Sequence, residues 1–298
     1  MQFGVITQSA IAFTQLLGAF SLIITQFQSI SSYTAVIARL STMIDASDRE
    51  AEVELSAAAG PKDRNLVAYN RLTLLSPRSG RVLINELKFT IPRGKNILVC
   101  GQDERARSAL FNATAGLWKA SPGAIIRPPL DQILFLSESP YLPPSTMREL
   151  LMRPLPEQGA ENAAMLERLC FSEEIMLGVL SELKIASILK GYGGFDSRQH
   201  WENALPLVEQ SLLVVARLLL VKPGFAFLDR PSATLDPEHL ASVFSLLKKH
   251  GISFVTFEER GARLEYYDQM LVLERDGAWT CKAIVDGHIC EQSPLAPA

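Results

Sequence analysis

From Leu66 onward the chain alternates short apolar runs of strand composition with runs at helical spacing. LVAYNRLTLL (66–75) and RVLINELKFTI (81–91) read as strands, the second ending at Pro92-Arg93-Gly94. NILVC (96–100), QILFLS (132–137), FAFLD (225–229), ISFVTF (252–257) and QMLVLE (269–274) read as buried strands. A helical run, Ser108 to Leu117, follows the first of these, and a helix-rich block, Pro156 to Leu189, interrupts the series. Strands alternating with helices predict an α/β core with a largely parallel sheet. No internal repeat is present.

The amino-terminal part obeys a different rule. Its first 38 residues carry no charged side chain; Arg39 is the first. Gly4 to Phe27 is long enough to cross a bilayer at about 1.5 Å per residue. It lacks the basic start and small-residue cleavage site of a secretory signal. Gln8, Gln15, Gly18 and Ser21 suit a helix packed against other membrane helices, while a buried helix of a soluble protein is the competing reading. Ser31 to Asp48 continues at helical spacing, and Arg49 to Arg64, with AAAGPKD, reads as a linker. One membrane helix cannot enclose a pathway, so a channel would need helices from other chains or from further sequence.

Composition excludes several classes. Lys plus Arg number 29 against 32 Asp plus Glu, a net charge of −3, which is no nucleic-acid footprint. The cysteines (Cys100, Cys170, Cys281, Cys290) and histidines (His200, His239, His250, His288) are scattered without metal-ligand spacing. Buried, reduced thiols are expected.

The chemistry centres on GQDERARS, Gly101 to Ser108, directly after NILVC. A phosphate-binding loop needs glycines so that backbone N–H groups close on phosphate, a Lys, and a Ser or Thr for Mg²⁺. Gly101 and Ser108 stand in that strand–loop–helix context; Ala106 replaces the late Gly and Arg107 the Lys, with Glu104 and Arg105 between. By themselves these eight residues suit an ordinary strand-to-helix turn equally well.

They do not stand by themselves. FNATAGLW follows, then LFLSESPYLPPSTMREL (134–150), then the run from Gly193 to Glu238 containing HWENALPLVEQSLLVVARLLL and FAFLDRPSATLDPE. In this order and spacing the blocks resemble the nucleotide-binding domain of ATP-binding cassette (ABC) transporters. The likeness extends to the fused permease/ATPase group that includes peroxisomal acyl-CoA transporters and bacterial vitamin B12 and peptide importers. It covers roughly Leu66 to Glu274, and Met1 to Ala46 is similar to that group's last membrane helix and its cytoplasmic extension.

The resemblance implies a site altered at most positions. Arg107 holds the Lys position and Glu138 the Q-loop glutamine. Pro206 and Val208 hold the signature serine and glycine, followed by Glu209 and Gln210. The Walker B aspartate is Asp229, but the general base after it is Arg230, and the switch histidine is Glu259. Ser232 and Asp236 match the D-loop. A guanidinium cannot accept a proton from water, Pro206 lacks a backbone donor, and Glu138 and Glu259 bring negative charge towards phosphate. Arg230 paired with Glu138 or Glu259 would preserve the fold without hydrolysis. No aromatic in Leu72 to Arg81 offers an adenine platform.

The resulting expectation is a P-loop NTPase-type α/β core (65–298) with an inserted helical subdomain at about 140–215, after a linker (49–64) and one transmembrane helix with its extension (1–48). By resemblance it is the ATP-binding part of a membrane transporter that hydrolyses ATP poorly or not at all. ATP and Mg²⁺, the latter on Ser108 and Asp229, are the implied cofactors if binding is retained. The implied partners are a second nucleotide-binding domain and permease helices in a plasma or inner membrane, with this domain cytoplasmic. A pseudo-ATPase assembly or regulatory module, or a truncated remnant, is the alternative.

Overall fold

The computed structural model of the protein describes residues 2–57, 65–77, 79–118, 122–129, 132–152, 171–259 and 261–290. It divides into two compact units, Met1–Ala59 and Gly60–Ala298.

The first unit is one helix, α1, Gln2–Ala57. It runs through the first part of the predicted linker, where Ala, Glu and Arg favour helix; 58–64 lie outside the described residues. Apolar side chains are distributed all round it, and Ile11, Leu16, Phe20, Phe27 and Ile30 are each more than half exposed. The stretch Thr7–Asp45 has a mean hydropathy of 1.6, and none of it is buried inside the structure. A core helix of a soluble protein would hide these side chains, so this surface needs cover from outside the chain. Thr14, Thr34 and Thr42 donate their hydroxyls to carbonyls one turn back (Ala10, Ile30, Ala38), which satisfies them without water.

The second unit begins with β1 (Leu66–Leu75) and β2 (Val82–Pro92), an antiparallel pair that β4 (Ala124–Ile126) extends to three strands. Between them in sequence lie β3 (Ile97–Gly101) and α2 (Glu104–Ala115). Next come β5 (Ile133–Leu136), β6 (Ser145–Thr146) and α3 (Met147–Met152). The predicted helix-rich block begins in 153–170, outside the described residues. Beyond it stand α4 (Glu173–Glu182), α5 (Ser187–Gly191), β7 (Arg198–Gln199), α6 (Trp201–Ala204) and α7 (Leu207–Val221). The chain closes with β8 (Phe225–Asp229), α8 (Pro231–Thr234), α9 (Pro237–Lys249), β9 (Ser253–Phe257), β10 (Gln269–Leu273) and the hairpin β11 (Trp279–Val285) and β12 (His288–Cys290).

The main sheet has the order β12-β11-β10-β3-β9-β8-β5, with β10, β3, β9, β8 and β5 parallel. The parallel strands are mostly apolar because both sheet faces are covered. The two-residue period sorts the side chains. Leu98, Ala226, Leu228 and Phe254 join the helices α3, α4, α7 and α9 through Leu150, Leu180, Leu213 and Phe244. Val99, Phe225, Phe227 and Phe257 face the other way, against Leu72, Ile84 and Leu87 of the three-stranded sheet and Leu110 of α2. Phe111 meets the rings of Phe135 and Phe257 edge-on at 5.6 and 5.4 Å.

Burying so much apolar surface on both sides fixes where the parallel strands end. All of them point their carboxyl ends the same way, and the segments leaving β3, β5, β8 and β9 meet there. Cys100 is buried as expected, but Cys281 and Cys290 are only half-buried in the end hairpin, and Cys170 lies outside the described residues.

Candidate functional site

The expected phosphate loop is not a loop. Helix α2 starts at Glu104, four residues before the predicted Ser108, so GQDERARS is mostly helical. The cause is local: Asp103 is an N-cap, its carboxylate accepting from the N–H of Arg105 at 3.0 Å, and Glu, Arg and Ala after it favour helix. The Arg107 N–H already closes the first helical turn on the Asp103 carbonyl at 3.3 Å. Arg81 pairs with the cap at 3.5 Å. The backbone N–H groups of Arg105 and Arg107 are thus taken by the chain's own atoms.

Gly101 ends β3 against β10, to which it is registered opposite Leu273. A Cβ there would lie 2.1 Å from the Leu273 carbonyl oxygen, so only glycine fits.

Arg107, at the Lys position, is buried and donates to the carbonyl of Gly101. Ser108 sits half-buried one turn into α2. Asp229 ends β8, and its carboxyl is pushed above the usual range, first by burial and then by the nearby charge of Glu138. Among the described residues, no three His, Cys, Asp or Glu side chains gather to hold a metal.

Arg230 follows Asp229 with a left-handed backbone (φ 45°), its N–H bonded to the Phe257 carbonyl at 2.9 Å. Its guanidinium reaches Glu104 at 3.3 Å, Glu138 at 3.4 Å and Glu259 at 3.4 Å. Arg107 lies 3.9 Å from the same Glu259 oxygen. The predicted exchange of charges is therefore present, with Glu104 as a third partner. A triphosphate would meet carboxylates and committed guanidiniums in place of open donors. As arranged, these residues do not fit Mg²⁺ with a triphosphate.

Sequence reasoning missed Glu258. It is buried, and its carboxylate accepts from both the N–H (2.9 Å) and the hydroxyl of Ser232. Burial pushes this carboxyl up, opposed by the Ser232 bonds and then by Arg230 and Arg107. Its one sequence signal was an acid at the end of a mostly apolar strand. The other D-loop position, Asp236, caps α9 by accepting from the N–H groups of Glu238 and His239.

The signature positions form the start of α7. Pro206 is its N-cap and offers no side-chain acceptor. Val208 packs against the helix-side core, and Glu209, in the first turn, is half-buried. Gln210 is buried and donates to the carbonyls of Glu202 (3.0 Å) and Leu205 (2.8 Å).

Known proteins match this arrangement along most of the chain. It is 30% identical over 293 residues to an uncharacterised ABC transporter ATP-binding protein of Synechocystis sp., covering 95% of this chain and 42% of the relative. ABC transporter D family member 2, chloroplastic, of Arabidopsis thaliana is 28% identical over 91% of this chain and 46% of its own length. The chain belongs to the ABC transporter family. It spans less than half the length of these two relatives. Among solved structures, a bacterial Atm1-family ABC exporter with ATP bound matches with a TM-score of 0.59, covering 73% of this chain and 39% of that chain. At 15% identity that likeness speaks for the ABC fold alone. No protein-family model matches the chain.

Proposed function

We propose that this chain is the nucleotide-binding part of an ABC-type membrane transporter, and that its own ATP site hydrolyses poorly or not at all. The observation that carries the second half is Arg230. It stands where a base should take a proton from water, a guanidinium offers only donors, and three carboxylates already claim it. Phosphoryl transfer depends almost wholly on positioning and charge stabilisation, and here both are spent on internal pairs. The relatives' names and the exposed apolar surface of α1 support the first half. On this reading α1 lies in the bilayer beside permease helices, the rest of the chain is cytoplasmic, and a second nucleotide-binding domain completes the pair. The helices between about 140 and 215 are the family's inserted helical subdomain.

The test is ATP turnover by the full chain in detergent. The expected rate equals the blank; turnover above it that disappears in an Asp229→Ala variant would refute the reading. Fractionation tests the membrane half: the full chain should enter the membrane pellet and leave it only with detergent.

A further inference from the structure

Three acidic side chains at the strand ends come from three separate segments. Glu104 belongs to the first turn of α2, Glu138 to the stretch after β5, and Glu259 to the stretch after β9. Arg230, leaving β8, touches all three. We propose that Arg230 is an internal fastener that stands in for a bound ligand, holding these three segments in one arrangement with no nucleotide present. This rests on the reading above, that the carboxyl ends of the strands are the family's nucleotide site.

Charge makes the role specific. Five carboxylates (Glu104, Glu138, Asp229, Glu258, Glu259) face two guanidiniums (Arg107, Arg230) at this end. Arg107 is buried and bonded to the Gly101 carbonyl, and of the three acids it pairs only with Glu259, at 3.9 Å. Removing Arg230 therefore leaves Glu104 and Glu138 without an ion-pair partner among the described residues, and Glu259 with the more distant Arg107 alone. Shape matters as well. A guanidinium presents five donors in a rigid plane, so its two terminal nitrogens divide the acids, one taking Glu104 and Glu138 and the other Glu259. An ammonium on a flexible stem lacks that spread.

The complementary half is Asp103. Its carboxylate caps α2 at the end where a phosphate would sit, so the site carries an internal anion at the helix terminus and an internal cation among the acids. The contacts at 3.3 and 3.4 Å are long for charge-assisted bonds, and the acids are well exposed. Each pair is consequently weak, and salt should loosen the fastener.

Hydrogen exchange of the full chain in detergent reads this directly, at residues 136–142 and 257–259, with β3 as an internal reference. In the unaltered chain, protection of both segments should be the same with and without Mg²⁺ and ATP, and should fall in about 1 M salt. Arg230→Gln should speed exchange in both segments roughly three- to tenfold, the effect of losing two or three part-exposed pairs, with β3 unchanged. Arg230→Lys should lie between. Equal exchange in the unaltered chain and Arg230→Gln, without nucleotide, overturns the fastener. Protection that appears only with Mg²⁺ and ATP overturns instead the functional reading on which it rests. If Arg230→Gln also opens β3, the variant has failed to fold. The Glu138→Gln variant and the salt titration then decide: faster exchange in both segments supports the fastener, and no change overturns it.

Discussion

The two faces of the proposed nucleotide site are tied together in opposite ways. At the strand ends charged groups have found one another: Arg230 with Glu104, Glu138 and Glu259, and Arg107 with Glu259. At the start of α7, Pro206 and Val208 make no such links. Pro206 caps without an acceptor, and Val208 turns into the core. Substitutions on the first face are coupled, so reverting one strands its partners. Those on the second are nearly independent, and each can be reverted by itself. Coupling of this kind is measured as non-additivity.

The sharpest way to break the comparison is at Gly101, which belongs to the strand-end face but to none of its ion pairs. Gly101→Ala drives a methyl into the Leu273 carbonyl and should cost about 3 kcal/mol or more, seen as a large drop in thermal midpoint in detergent. A near-neutral result would show that β3 and β10 can move apart.

Arg230→Glu comes next. On a motif comparison it looks like repair, yet it sets six carboxylates against Arg107. We expect a loss of about 1–2 kcal/mol and no ATP turnover, even combined with Arg107→Lys. Robust hydrolysis from that pair would show that neither the coupled acids nor the Pro206 face is limiting. Combining Arg230→Glu with Glu104→Gln, Glu138→Gln and Glu259→His should recover most of the lost stability, which a double-mutant cycle can quantify.

Glu258 sharpens the comparison through pH. Its folded value is raised, so the neutral carboxyl is the form the fold prefers. Its contribution is full below the ordinary glutamate range and is lost as pH rises through the raised folded value. Glu258→Gln keeps both Ser232 bonds possible, so it should match the unaltered chain in acid and exceed it near neutral pH by about 1 kcal/mol or less. Parallel stability curves for the two proteins across that range would rule this out.

The smallest effect is expected on the independent face. Pro206→Ser supplies the missing cap, and with Glu209 three residues on completes a capping box. Against this stands the greater freedom of the unfolded chain without proline. The net gain should be about 0.5 kcal/mol, a rise of a degree or two in midpoint, unaffected by any change at Arg230.

Much of the fold was legible because apolar strands buried on both faces leave an unmistakable run of letters. β3, β5, β8, β9 and β10 all lie where those runs predict. The short β4, β6 and β7 and the half-exposed hairpin β11–β12 carry no such signal, since their pairing is decided by neighbours distant in sequence. At the site, resemblance placed Arg230, Glu138 and Glu259 in one cleft, which was enough to foresee their pairing. It misplaced the start of α2, because the phosphate-loop template outweighed the N-cap signal of Asp103 followed by Glu104, Arg105 and Ala106. Glu258 escaped because its role is set by Ser232, which reaches it only through the turn of α8.

Gly101 carries one more consequence. Matching sequences letter by letter would count it as a survivor of phosphate recognition, next to neighbours that changed. Its nearest obligation is to the adjacent strand, whose oxygen leaves no room for a side chain whatever the cleft contains. Some positions of a binding motif answer to the scaffold and others to the ligand, and only the second kind are released when the ligand is no longer needed. The glycine here answers to the sheet, and says nothing about whether the cleft holds a nucleotide.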